Sequence, residues 1–135
     1  MTAPNTVFPP AAMAAATHHL EAFALSNFGV QLVVLTSGDG FEIAAYPQAN
    51  PATPRIAAMT SSMQALAAAM ARESNLERNR SVILEADGGT ILVLDLDESL
   101  PRTSLAVVAS GKELLGKLLW ASRNLCKVLE KTLAP

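Results

Sequence analysis

Cysteine is almost missing from this chain: Cys126 stands alone, so no internal disulfide can form, and a reducing cytoplasm is the expected compartment. Positive charge is not in excess either. Ten Lys and Arg against twelve Asp and Glu give a formal charge of −2, without the cationic surplus that binding a phosphate backbone requires, so nucleic acid is not an expected partner. No apolar run approaches the roughly 18 to 20 residues that span a bilayer, because His18, Thr60 and Arg72 interrupt the alanine-rich stretches. Membrane insertion is therefore not expected. Met1 to Pro10 shows neither the basic start nor the long apolar block of a secretory signal. What remains is 135 residues, 50% hydrophobic and 4% aromatic, enough for one domain with a real core and too short for two.

The first ten residues hold three prolines and few anchoring side chains, which predicts a loose arm over 1–10 and a single domain over 11–135. A helix over about Ala11 to Asn27 places Met13, Ala16, Leu20 and Phe23 on one side, and Gly29 stops it. Val30 to Thr36 is apolar on both alternating faces, as in a strand covered by helices on two sides. Ser37-Gly38-Asp39-Gly40 supplies a tight reversal into a second strand, about Phe41 to Tyr46. Three prolines in the stretch from Tyr46 through Pro54 predict a loop crossover, followed by a long helix over about Arg55 to Ser74. Its stripe of Ile56, Met59, Met63, Leu66 and Met70 predicts the buried face. Val82 to Leu84 and Ile91 to Leu94 flank Asp87-Gly88-Gly89, a second reversal with glycines where positive φ is needed, and about Ser104 to Ala109 forms a fifth strand. A last helix over about Lys112 to Leu133 carries Leu114, Leu115, Leu118, Leu119, Leu125, Val128 and Leu129 on one side. Glu113, Lys117, Lys127 and Lys131 occupy the other. Antiparallel strand groups that are apolar on both faces predict a three-layer α/β/α sandwich.

Chemistry is sparse. His18 and His19 are adjacent, so on a helix they diverge by about 100° and cannot share a metal. Cys126 has no histidine near it in sequence and reads as a packing residue. Asp95 and Asp97 share a strand-end face, but no third acidic ligand follows at a defined spacing. Gly38-Asp39-Gly40 lacks the third glycine of a dinucleotide fingerprint. The expectation is a non-enzyme with no cofactor and no metal.

The long helix is the exception to this blandness. No charged residue occurs for sixteen positions between Arg55 and Arg72. A helix with one face on its own sheet normally gives charge to the other, so an uncharged one is expected to be covered twice. Ala58, Ser62, Ala65 and Ala69 form a small-residue stripe suited to close approach of a second chain, and Val82, Ile83 and Leu84 lie on a strand whose edge would pair with its mate. Gln64, Ala68 and Arg72 are the expected partner contacts, turned away from both core and mate.

Gly29-Val30, Ser37-Gly38-Asp39-Gly40-Phe41-Glu42-Ile43-Ala44, Ile56-Ala57-Ala58-Met59, Leu66-Ala67-Ala68-Ala69 and Leu115-Gly116-Lys117-Leu118 together resemble the roadblock/dynein light chain family over about Ala11 to Leu133. The likeness is to its bacterial, small-GTPase-associated members; the proline-bearing arm and crossover depart from the pattern. The resemblance implies a profilin-like, five-stranded antiparallel sheet ordered 2-1-5-4-3, with the central helix on one face and the terminal helices on the other. It also implies a homodimeric, non-catalytic adaptor that engages a Ras-like small GTPase. Two alternatives stay open: a scaffold or sensory module with another kind of partner, and a small-ligand domain with a pocket between sheet and helix. Gly116 is expected to permit close packing of the last helix onto the sheet.

Overall fold

The computed structural model describes residues 8–111 and 115–135. Its elements run α1 (Pro10–Ser26), β1 (Val30–Ser37), β2 (Glu42–Tyr46), α2 (Thr53–Glu73), β3 (Ser81–Ala86), β4 (Gly89–Asp95), β5 (Thr103–Ser110) and α3 (Leu115–Leu133). The five strands form one antiparallel sheet in the order β2-β1-β5-β4-β3. Alternation along the strands sends side chains to two cores. On one face Val33, Leu35, Leu92, Leu105 and Val107 meet Leu20 and Phe23 of α1 and Leu118, Leu125 and Leu129 of α3. On the other, Leu32, Val34, Ala45, Val93 and Ala106 meet Ala57 of α2. The doubly apolar β1 and β5 are interior strands, as their composition predicts.

Several expectations are corrected. The arm is not loose to its end: residues 1–7 lie outside the described residues, but Phe8 is only 5% exposed and belongs to the α1/α3 core, and Pro10 already starts α1. Proline is tolerated in a first helical turn, which also explains why α2 begins at Thr53 with Pro54 inside it rather than after it. The second reversal is Asp87-Gly88 alone. Neither Gly88 nor Gly89 adopts a positive φ; Gly89 is the first residue of β4, where a Cβ would collide with the Ala109 carbonyl oxygen of β5. That position needs glycine for closeness, not for turn geometry. Gly116 is exposed with nothing near its missing Cβ, so it does not serve packing onto the sheet. Val128 is half exposed at the rim between α1 and α3, while Leu114 and Glu113 lie outside the described residues.

Candidate interaction surface

The placement of α2 starts at the β1–β2 turn. Gly40 has φ +87° and closes the turn with its N–H donating to the Ser37 carbonyl at 3.0 Å. A Cβ on Gly40 would stand 3.3 Å from Ala58 Cα, so the turn lets the helix backbone come close to the sheet. Thr36 Oγ1 donates to the Phe41 carbonyl at 3.0 Å and stands 3.4 Å from the Ala57 carbonyl oxygen across that gap, and Ser61 Oγ donates to the Gly38 carbonyl at 2.6 Å. A helix seated this near needs short side chains underneath. Thr53, Ala57 and Thr60 are accordingly buried, and the longer Gln64 is buried one turn further along, where it reaches hydrogen-bond partners.

This rotates α2 away from its expected orientation. Of the stripe assigned to the core, Ile56 and Met63 are partly buried, but Met59, Leu66 and Met70 are exposed, Leu66 by 64%. Large apolar residues at helical spacing identify one face; they do not say whether the chain's own sheet covers it. Ala58, Ser62 and Ala65 are exposed and Ala69 is half-buried, so at 100° per residue they stand beside Met59, Leu66 and Met70 on the outward arc.

Gln64 is the plainest correction among the predicted partner contacts. It is 1% exposed and faces the sheet rather than solvent. Its Nε2 donates to Asp95 Oδ1 at 2.6 Å, and its Oε1 accepts from Asn79 Nδ2 at 2.8 Å. Ser104 Oγ donates to the same Asp95 oxygen at 2.8 Å. These bonds tie α2 to β4, β5 and the segment before β3, and they account for Asp95 without a cation. Burying amide and carboxylate groups is tolerable only with such partners. Ala68 is half-buried and Arg72 exposed; they line a hollow with Arg78, Asp97, Glu98 and Arg102 at the flank of α2.

At the sheet margin, β3 pairs among the described residues only with β4, Val82 opposite Val93, Ile83 opposite Leu92 and Leu84 opposite Ile91. Val82 packs in the α2 core, whereas Ile83 and Leu84 are about 40% exposed. The outer edge of β3 carries Val-Ile-Leu with no lysine or proline inside it. An open apolar edge of this kind is a template for another strand. Sequence reasoning found this edge and the small-residue stripe but missed the exposure of Met59, Leu66 and Met70. The overlooked signal was the second arc of α2, Thr53-Ala57-Thr60-Gln64, whose short and polar side chains match a close helix–sheet contact.

Nothing else gathers reactive groups. Among the described residues no cluster of three His, Cys, Asp or Glu could hold a metal, and no helix is long and apolar enough to cross a membrane. Cys126 is buried, and loss of solvation pushes its thiol up to about 12. The native protein is therefore expected to resist an aromatic disulfide reagent at pH 8 and to release one equivalent of thiol only on unfolding. Rapid reaction of the folded protein would contradict the packing role.

The family described as Roadblock/LC7 domain matches residues 18–109. Among solved structures, a Roadblock/LC7 domain from Streptomyces avermitilis is 20% identical with a TM-score of 0.79, covering 88% of this chain and 98% of its own. The gliding protein MglB of Thermus thermophilus is 19% identical with a TM-score of 0.81, covering 98% of each chain. Myxococcus xanthus MglB is 17% identical with a TM-score of 0.76, covering 87% of this chain and 93% of its own. At these identities the likeness is one of fold. No curated protein matches the chain.

Proposed function

Because the chain belongs to the Roadblock/LC7 domain family, we propose that it is a non-catalytic homodimeric adaptor that binds a Ras-like small GTPase. The observation that carries the dimer is the continuity of two unsatisfied features: Met59, Leu66 and Met70 stand exposed on α2, and α2 packs beside β3, the strand with the open apolar edge. A two-fold axis beside β3 would pair the two edges antiparallel and bring the small residues Ala58, Ser62 and Ala65 of both helices together. Methionine suits such a surface because its flexible thioether adapts to a facing copy.

The reading of a GTPase partner is supported by family membership and by the surface that pairing would leave open. Ala68 and Arg72, with Arg78, Arg102, Asp97 and Glu98, form a charged flank next to the helix pair. The switch segments of a Ras-like protein change conformation between GTP and GDP states, so a platform touching them reads the nucleotide without contacting it. Only differential affinity can couple the two equilibria. Titration of the purified dimer against the small GTPase encoded nearest to it is expected to give affinities differing at least about tenfold between GDP and a non-hydrolysable GTP analogue, a difference of about 1.4 kcal/mol. Arg72→Glu should weaken the tighter complex. Equal affinities, or no binding at high micromolar concentration, would refute the regulatory role and favour a scaffold with another partner.

A further inference from the structure

The face opposite α2 carries a second pattern that neither the dimer nor the GTPase uses. Along α3, Lys117, Trp120, Asn124, Lys127 and Lys131 recur at i, i+3, i+7, i+10 and i+14, so they form one stripe about 21 Å long. The three lysines are exposed and Trp120 is 69% exposed. Glu130, the one carboxylate of α3, lies off this stripe and accepts the Asp97 backbone N–H at 2.8 Å. Beside the rest of the stripe, Trp120 and Val128 share an open groove with Ala22 and Ser26 of α1 and with Asn27 just past its end. Among the exposed residues of α1, His18 is the one acidic or basic group, and the half-buried Glu21 is the helix's single carboxylate. Leu25 is 72% exposed, and Phe28, just past the helix, is 90% exposed.

We propose that this α1/α3 face adsorbs to a membrane surface rich in anionic lipid, with the lysines over the headgroups and Trp120, Leu25 and Phe28 at the interfacial level. Charge complementarity selects the occupant. The whole chain is net negative at −2, yet the charged residues described on the stripe are all lysines, with Lys127 at the margin of a hollow it shares with Asp97 and Glu130, so the attraction is local to this face. Lysine is a point charge on a long stem, suited to a diffuse anionic layer rather than to forked recognition of single carboxylates. Tryptophan is the side chain that settles where apolar and polar media meet. Nucleic acid would call for a larger cationic footprint than three lysines. In the proposed dimer, antiparallel pairing of the β3 edges about an axis normal to the sheet would leave both α1/α3 layers on one side. That doubling rests on the dimer reading, whereas adsorption of a single copy does not. The mode is peripheral and involves no spanning helix.

Trp120 is the sole tryptophan, so its emission reports the contact directly. The full-length protein is mixed with vesicles of phosphatidylcholine alone and of phosphatidylcholine with phosphatidylserine, and followed by emission and co-sedimentation. A blue shift and sedimentation are expected with the anionic vesicles only, both fading as salt is raised. Lys127→Gln with Lys131→Gln should lower the partition coefficient about 25-fold, roughly fivefold per lysine. Both side chains are exposed, so circular dichroism should be unchanged; if the double variant fails to fold, the salt dependence of the unmodified chain decides. Equal binding to both vesicle types, binding to neither, or sedimentation with an unshifted Trp120 overturns the proposal. Capture of polyglutamate without vesicle binding also overturns it, in favour of an acidic protein partner. Light scattering on the same samples gives the oligomeric state, so a failed dimer and a failed lipid surface are told apart.

Discussion

Ala65→Glu is expected to turn the proposed dimer into a folded monomer. Ala65 is exposed in the single chain, so a glutamate there costs the isolated fold little. Between two copies of α2 the same carboxylate would be buried without a cation, because no charged residue lies from Ile56 to Ala71. Leaving a charge unpaired in such a setting costs several kcal/mol, and two-fold symmetry introduces it twice. The dimer dissociation constant should rise at least about a hundredfold, or about 2.8 kcal/mol. Light scattering should move from twice the 14.2 kDa chain mass to that mass, while circular dichroism stays unchanged. Ala65→Ser, which adds only a small hydroxyl, should remain dimeric. A glutamate variant that dimerises like the parent would exclude this helix face from the interface.

Gln64→Ala should cause the larger loss of fold stability, although it leaves every exposed residue in place. Truncation removes both ends of a relay, so Asn79 Nδ2 loses its acceptor and Asp95 loses one of its two side-chain donors. Asn79 and Asp95 are half-buried, so each lost partner costs toward the low end of the about 1 to 3 kcal/mol of an unsatisfied polar group, and with the lost packing of the buried Gln64 side chain about 2 to 3 kcal/mol is expected in all. For a chain of this size that lowers the melting temperature by roughly 10 °C. The loss should be visible in the Ala65→Glu monomer as well, since the relay lies within one chain. A variant melting within a degree or two of the parent would mean that the relay does not hold α2 to the sheet.

The contrast between Gln64 and Ala65, neighbours in sequence, shows where the sequence was legible. The strands could be read because interior and edge strands differ in composition: Leu32, Val33, Val34 and Leu35 are apolar on both faces and all buried. Their order needed the family resemblance, since alternation fixes which side a residue faces but not which strand lies next to it. The course of α2 was legible, and its rotation was not. Helical spacing showed that Met59, Leu66 and Met70 share a face, and the natural inference was that the sheet covers it. The deciding fact was a backbone approach at Gly40, which seats the helix on its Thr53-Ala57-Thr60-Gln64 arc, with Ile56 and Met63 only partly buried beside it. A lone glutamine in an alanine-rich helix reads as a surface residue until its partners, Asp95 and Asn79, are brought from distant segments. Phe8 escaped for a similar reason, because prolines on either side signalled a loose arm while the aromatic ring had a place in the α1/α3 core.

Hydrogen exchange along Ser81–Ala86 is the measurement closest to the central claim, since those amides of β3 that point away from β4 have no partner strand among the described residues. In the unmodified protein at high concentration they should be protected like interior strand amides, and protection should disappear on dilution below the dissociation constant and in Ala65→Glu. Exchange of these amides at unprotected rates at every concentration, with β1 and β5 protected as usual, would contradict pairing of the β3 edges and with it the dimer on which the adaptor surface is built.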